Sequence, residues 1–289
     1  MGTSKSYKTP SGGRWSRLKN DITDFLAGDD RITPDQIIGG AVGAAGGLSP
    51  LPPTPSLVGV RPSRGGGGGS GGMAGGAGRG AGAGGRSGGG RGTSRASVGR
   101  AVSGLSSFGT AVRTEGLDAA LTRLGLDELR GRPATEVIAR IAEHLAEDGR
   151  GLDKELLERA LREAIFEAAA LEGDRSYENL SASLEAFLNS EGVEGLVALF
   201  LTHFVFERVW LVAEDHVAHK GETASDSTAL ASAIEAACRG HVDRLLTELK
   251  NGGRFEGVDW FGRDGERFGD EIASELEARI RALAPEERP

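Results

Sequence analysis

Twenty-seven of the chain's 47 glycines fall between Gly39 and Gly109. No other feature restricts the fold so strongly. Glycine loses the most backbone entropy on folding and brings no side chain to bury. A proline cluster, Pro50, Pro52, Pro53 and Pro55, opens the stretch and favours extended backbone. The run GGGGGSGGMAGGAGRGAGAGGRSGGGRG that follows has the composition of a flexible coil. These residues predict a disordered Pro/Gly/Arg-rich linker over 39–112, an N-terminal leader over 1–38 and one acidic helical domain over 113–289. The last has the size of an ordinary domain.

Charge divides along the same line. Residues 1–112 hold 13 Lys/Arg and 5 Asp/Glu, whereas residues 113–289 hold 21 and 37. The two parts therefore carry +8 and −16, which favours attraction between them or a tail that seeks an anionic partner. Cys238 is the only cysteine, so neither an internal disulfide nor a thiolate metal cluster can form. The most apolar segment, Gly195 to Ala213, is interrupted by His203, Glu207 and Arg208. Its longest run without a polar residue is too short to span a bilayer, and a cytoplasmic protein with no membrane partner is expected.

Hydrophobic periodicity outside the linker is helical throughout. In the leader, Trp15, Leu18, Ile22, Phe25 and Leu26 line one face of a short amphipathic helix, with Gly28 suited to cap it. So short a helix must dock, on the domain or on a partner. Thr33-Pro34 signals another helix start, soon running into glycine. From Thr114 onward come apolar stripes such as Val137, Ile138 and Ile141, then Leu180, Leu184 and Leu188. Further on lie Leu230, Ile234, Cys238, Val242, Leu245 and Leu249, then Phe268, Ile272, Leu276 and Ile280. Ser190 is suited to cap the long apolar helix that follows it. The fold class is all-α: an irregular bundle of about seven helices behind a long disordered tail bearing one short amphipathic helix, with the helix near 193–219 at the core.

Chemistry-bearing motifs are sparse. Gly80, Gly82 and Gly85 match G-x-G-x-x-G, but no strand precedes them. His203, Glu207, Glu214, His216 and His219 resemble metal-ligand material. On a helix, however, His216 and His219 point about 140° and 160° away from His203, so one site cannot use them all. Arg64, Arg79, Arg86, Arg91 and Arg95 resemble RNA-binding Arg/Gly segments but lack interleaved aromatics. The loop Asp259 to Gly265 sets Trp260 and Phe261 beside turn residues and suits a hydrophobic plug better than a ligand site. No catalytic residue, metal site or cofactor is expected, and the chain is predicted not to be an enzyme. The N-terminus stands apart. Removal of Met1 before so small a residue exposes the Gly2 α-amine, which retains a neutral, nucleophilic fraction near pH 7. Gly2 to Ser6 also match a myristoylation pattern, a short one that recurs by chance.

The opening Met1-Gly2-Thr3-Ser4 and the Pro10 to Gly13 turn resemble the QatB family of the Qat bacterial anti-phage systems. The order of short helix, Gly/Pro-rich linker and Ala/Leu-rich helical domain adds to the likeness. The resemblance implies a non-catalytic component of a system that also holds an ATPase, a QueC-like enzyme and a TatD-like nuclease. It implies that the QueC-like partner joins a 7-deazaguanine to Gly2. Thr3 and Ser4, with Trp15, Leu18, Ile22 and Phe25, would contact the partner. The alternative is an adaptor or scaffold whose basic Gly/Arg-rich tail binds nucleic acid.

Overall fold

The computed structural model describes residues 13–45, 47–48, 93–147, 152–171, 173–220 and 224–284. Among them are ten α-helices and one short 3₁₀ turn, and no strand, so the fold is all-α. Seven of the ten lie between Leu117 and Ala282, the number expected there, and one is the short amphipathic helix of the leader; the other two are rich in small residues and carry little apolar periodicity.

Residues 13–44 form a helical hairpin. In α1 (Gly13–Leu26) the spacing of Trp15, Leu18 and Ile22 buries all three, and Phe25 packs at the margin of the core. Gly28 ends the helix in the left-handed conformation, at φ 81°. Thr33 then caps α2 (Pro34–Ala44) with a complete capping box: its side chain accepts from the Gln36 amide, and the Gln36 side chain accepts from the Thr33 amide. Sequence reading has α2 dissolving at Gly39. It continues through Gly39, which lies against the backbone just past the end of the last helix. A Cβ at Gly39 would sit 2.4 Å from the Ala284 nitrogen.

The larger departure is α3 (Thr93–Glu115), whose residues 93–112 the sequence assigns to the linker. Residues 39–44 and 93–112 are thus helical, and 49–92 lie outside the described residues. Val98, Ala101, Val102, Leu105, Phe108 and Val112 are buried along α3, as are Ser97, Ser103 and Ser106. Its glycines and serines permit close approach of neighbouring helices.

Gly116, at φ 87°, turns the chain into α4 (Leu117–Leu124), and the 3₁₀ turn Asp127–Leu129 leads to α5 (Ala134–Leu145). There follow α6 (Leu152–Ala169), α7 (Tyr177–Ser190), α8 (Gly192–Lys220), α9 (Ala224–Asn251) and α10 (Arg263–Ala282). Ser190 does not cap α8. Its hydroxyl donates to the Phe187 carbonyl of α7, and Gly192, at φ 73°, makes the break.

Two helices are central. Helix α8 packs on α6, α9 and α3, and α3 packs on α10, α4 and α8. By length and composition alone, Gly192–Glu214 could cross a membrane, at mean hydropathy 1.7, but 72% of that window is buried inside the bundle. Its apolarity is therefore that of a core element. The hairpin α1–α2 lies against α8, α9 and α10, so α1 docks on its own chain.

Candidate functional site

The residues singled out by sequence fall into three places. Gly2, Thr3 and Ser4 lie outside the described residues, as do Arg64, Arg79, Arg86, Arg91 and the glycine run around Gly80. Trp15, Leu18 and Ile22, assigned to partner recognition, are buried in the chain's own core at 6%, 1% and 0% exposure, and Phe25 is half-buried beside them. The apolar stripe of α1 is thus satisfied internally and cannot also form a partner surface. Gly13 and Arg14, at the start of α1, are exposed.

Two polar contacts pin the hairpin to the bundle. Thr23 gives its hydroxyl proton to the Lys19 carbonyl, so His216 Nε2–H donates to Thr23 Oγ1 at 3.0 Å. On α2, Asp35 pairs with His241 of α9 at 3.0 Å. Neither pair could be inferred from sequence, since the partners are about two hundred positions apart and each residue alone reads as a solvated side chain.

The histidine and glutamate set on α8 does not converge. His203 Nε2 meets Glu167 Oε2 of α6 at 2.8 Å, and Arg239 of α9 closes on the same carboxylate at 3.1 Å. Glu207 pairs instead with Arg159 at 2.9 Å. Burial pushes the Glu207 carboxyl upward, and Arg159 opposes that rise. His216 points to α1, as above. Among the described residues no group of three or more His, Cys, Asp and Glu could hold a metal ion. The Cys238 thiol is buried, which drives its pKa well up and keeps it protonated.

The loop between α9 and α10 forms the best-defined surface feature. Trp260 is buried at 9% exposure, packed on Phe255 and Phe268 with ring centroids 6.1 and 5.7 Å away. Its carbonyl accepts from the hydroxyls of Ser107 and Ser103 on α3. Trp260 is the plug anticipated from sequence. Phe261 is not, since it points outward.

Fold and site together define an all-helical bundle with an N-terminal hairpin docked on its flank and ion pairs such as Arg159–Glu207 and His203–Glu167 bridging its helices. The chain belongs to the QatB family: the family described as Qat anti-phage system associated protein QatB matches residues 84–256, more than half of the chain. No curated protein and no solved structure matches it. The match runs from just before α3 into the α9–α10 loop. Membership makes the chain a component of a Qat anti-phage system, working with that system's other proteins.

Proposed function

We propose that this chain is the non-catalytic component of its defence system, a cytoplasmic protein modified at Gly2 by a QueC-like partner. The chemistry is an acyl transfer. The neutral Gly2 amine attacks the carbonyl carbon of an acyl-adenylated 7-deazaguanine carboxylate. A C–N bond forms, AMP leaves with the electrons of the broken C–O bond, and the amine proton passes to a base of the partner or to solvent. ATP and catalytic groups belong to that partner. The helical body binds the system's proteins, the ATPase and the TatD-like nuclease among the candidates.

The observation that carries this reading is the docking of α1. With Trp15, Leu18 and Ile22 spent on the chain's own core, the leader before Gly13 is what remains to enter a partner's cleft. Gly2 lies eleven residues before Gly13, so it can reach at most about 36–40 Å from the start of α1. A glycine suits the task because a Cβ beside the amine would crowd the approach to the electrophile.

Mass spectrometry of the N-terminal peptide from cells holding the complete gene set tests the proposal. Gly2 should carry the added mass. Gly2→Glu, which blocks removal of Met1, should abolish both modification and phage defence, and Gly2→Ala should impair them less. An unmodified Gly2, with defence intact in Gly2→Glu, would overturn the reading and favour a plain adaptor.

A further inference from the structure

The first twenty residues hold Lys5, Lys8, Arg14, Arg17 and Lys19 and no Asp or Glu. Helix α1 fixes where the later part of this basic run stands. It turns Trp15, Leu18 and Ile22 into the core, which leaves Arg14, Ser16, Arg17 and Asn20 exposed on its outer side, with Lys19 half-buried beside them. The cations of α1 therefore lie next to the point where residues 1–12 join the bundle.

The fold gains little from these charges. A helix is favoured by acidic residues in its first turn and basic ones in its last. Helix α1 has neither: Arg14 stands in its first turn and Asp24 in its last. Solubility does not call for them either, because on a chain of net charge −8 each cation brings the total nearer to zero. Arg14 already has an interaction within the chain, and Arg17 is the other exposed cation of α1. Arg17 acts on Asp21, one turn further on: burial pushes the Asp21 carboxyl upward, and Arg17 opposes that rise. Since Asp21 is half-buried and Arg17 exposed, that attraction leaves donors of the guanidinium open to a second carboxylate.

We propose that the enzyme acting on Gly2 presents an acidic groove to this basic run, in which carboxylates hold Lys5, Lys8 and Arg17 while Gly2 lies in the active site. The inference rests on the proposed modification of Gly2 and adds the chemistry of the surface that recognises the leader. Lys5 and Lys8 lie at most about 11 and 22 Å from Gly2, and Arg17 lies about 6 Å beyond Gly13 along α1, so one enzyme that holds Gly2 can touch all three. A nucleic acid or an anionic bilayer would also attract these cations, but either extends past them into the field of residues 113–289, which carry 21 Lys/Arg against 37 Asp/Glu. A groove is local. At physiological ionic strength charges more than about 8 Å apart are largely screened, so its carboxylates meet the leader without meeting the acidic body. The body's own carboxylates would compete for the leader, with the opposite consequence for the reaction.

The test combines the purified full chain, the QueC-like enzyme of its system, ATP and the 7-deazaguanine carboxylate, and follows the mass of the N-terminal peptide with time. No added mass on wild-type Gly2 overturns the modification, and this inference with it. With the wild type modified, Arg17→Gln should raise KM about two- to fivefold at unchanged kcat, and Arg17→Lys should behave as wild type. Lys5→Gln, Lys8→Gln and Arg17→Gln together should raise KM about tenfold or more. Added sodium chloride should raise the wild-type KM and move that of the triple variant much less. Arg17→Gln should melt with the wild-type chain, because its side chain is exposed. A triple variant with wild-type KM, or a wild-type KM that salt does not move, refutes the groove while leaving the modification intact. So does a KM that rises only together with a lowered melting temperature. A KM lowered in the triple variant would show the leader held by the chain's own acidic body, and refutes it too.

Discussion

The crossing of α3 and α10 gives a sharp test of the packing argument, through Gly269→Ala. A Cβ at Gly269 would lie 2.3 Å from the Gly99 carbonyl oxygen and 3.0 Å from the Gly99 carbonyl carbon. These are backbone atoms of a buried helix and no rotamer change can move them. An ordinary carbon–oxygen contact is about 3.3 Å or more, so the helices must part by roughly 1 Å. A gap of that size forfeits about a quarter to a half of the dispersion energy of the atoms it separates. Overpacking costs about 1–3 kcal/mol where side chains can adjust, and here they cannot, so the upper end applies. Against that stands about 0.5–1 kcal/mol gained from alanine's better helix propensity. The net loss should be about 2 kcal/mol, a fall of about 4–8 °C in melting temperature for a domain of this size. The matched control is Gly240→Ala on α9, where nothing lies within 4 Å of the built Cβ. It should stabilise the protein by about 0.5–1 kcal/mol. Urea titration followed by far-UV circular dichroism, with the full chain and both variants, measures the two effects. If Gly269→Ala proves as stable as the wild type, the two helices do not cross through these glycines and the reasoning is wrong.

Two further outcomes follow from the packing and the buried charge. Trp15→Ala should cost about 3–5 kcal/mol and speed amide exchange in α1 while α8 stays protected; unchanged exchange in α1 would refute its docking on the bundle. Glu207 has its pKa raised above the ordinary 4.5, chiefly by burial. A raised folded pKa means that the contribution of this group to stability is fully present below 4.5 and is lost as pH rises through the folded value. The stability of the wild-type chain relative to Glu207→Gln should therefore increase as pH falls through that window, and a flat or opposite trend in paired urea titrations would contradict the assignment.

How much of this was legible in sequence depended on how each helix buries itself. Helices that bury large side chains on one face declared themselves. The stripe from Leu230 to Leu249 on α9 and that from Phe268 to Ile280 on α10 are buried in the order the spacing predicts. The hairpin was half legible: Thr33-Pro34 marked the start of α2, but Gly39, Gly40 and Gly43 masked its continuation. Helix α3 was illegible for a physical reason. Buried on several sides and crossed closely by α10, it has no polar face to set off an apolar one, and it buries Ser97, Gly99 and Ser103, with Gly99 against the α10 backbone and Gly104 against Leu145. Glycine and serine there are the signature of tight packing, and next to a true glycine run they read as more of the same. In the candidate site, sequence separated His203 from His216 correctly by helical angle. It could not show that Glu167, Arg159 and Thr23 were the partners, since those lie on other helices. The inward turn of Trp260 was foreseeable from its apolar bulk. The outward turn of Phe261 depends on the Asp259 contacts and on Ser103 and Ser107, which only the fold brings beneath the loop.

The docked hairpin also changes how the proposed modification must operate. Were α1 carried on a long flexible tether, the glycine-rich stretch would set how far Gly2 could search. Instead α1 and α2 pack on α8, α9 and α10, while α3, on the far side of that stretch, packs on α8 and α10. Both ends of the linker are thus fastened to one body, and its length does not enter the distance from that body to Gly2. Only the leader before Gly13 does, and its reach is limited to about 36–40 Å by covalent geometry. A partner that acts on Gly2 must therefore bring its reacting group within that distance of the start of α1. That places a short leader and the flank of the bundle in one encounter, where a tether of eleven residues keeps the amine at high effective concentration near the cleft that receives it. In the proposed reaction the part of Trp15, Leu18 and Ile22 is to fix where the leader starts, a role buried residues can hold without touching the reacting atoms.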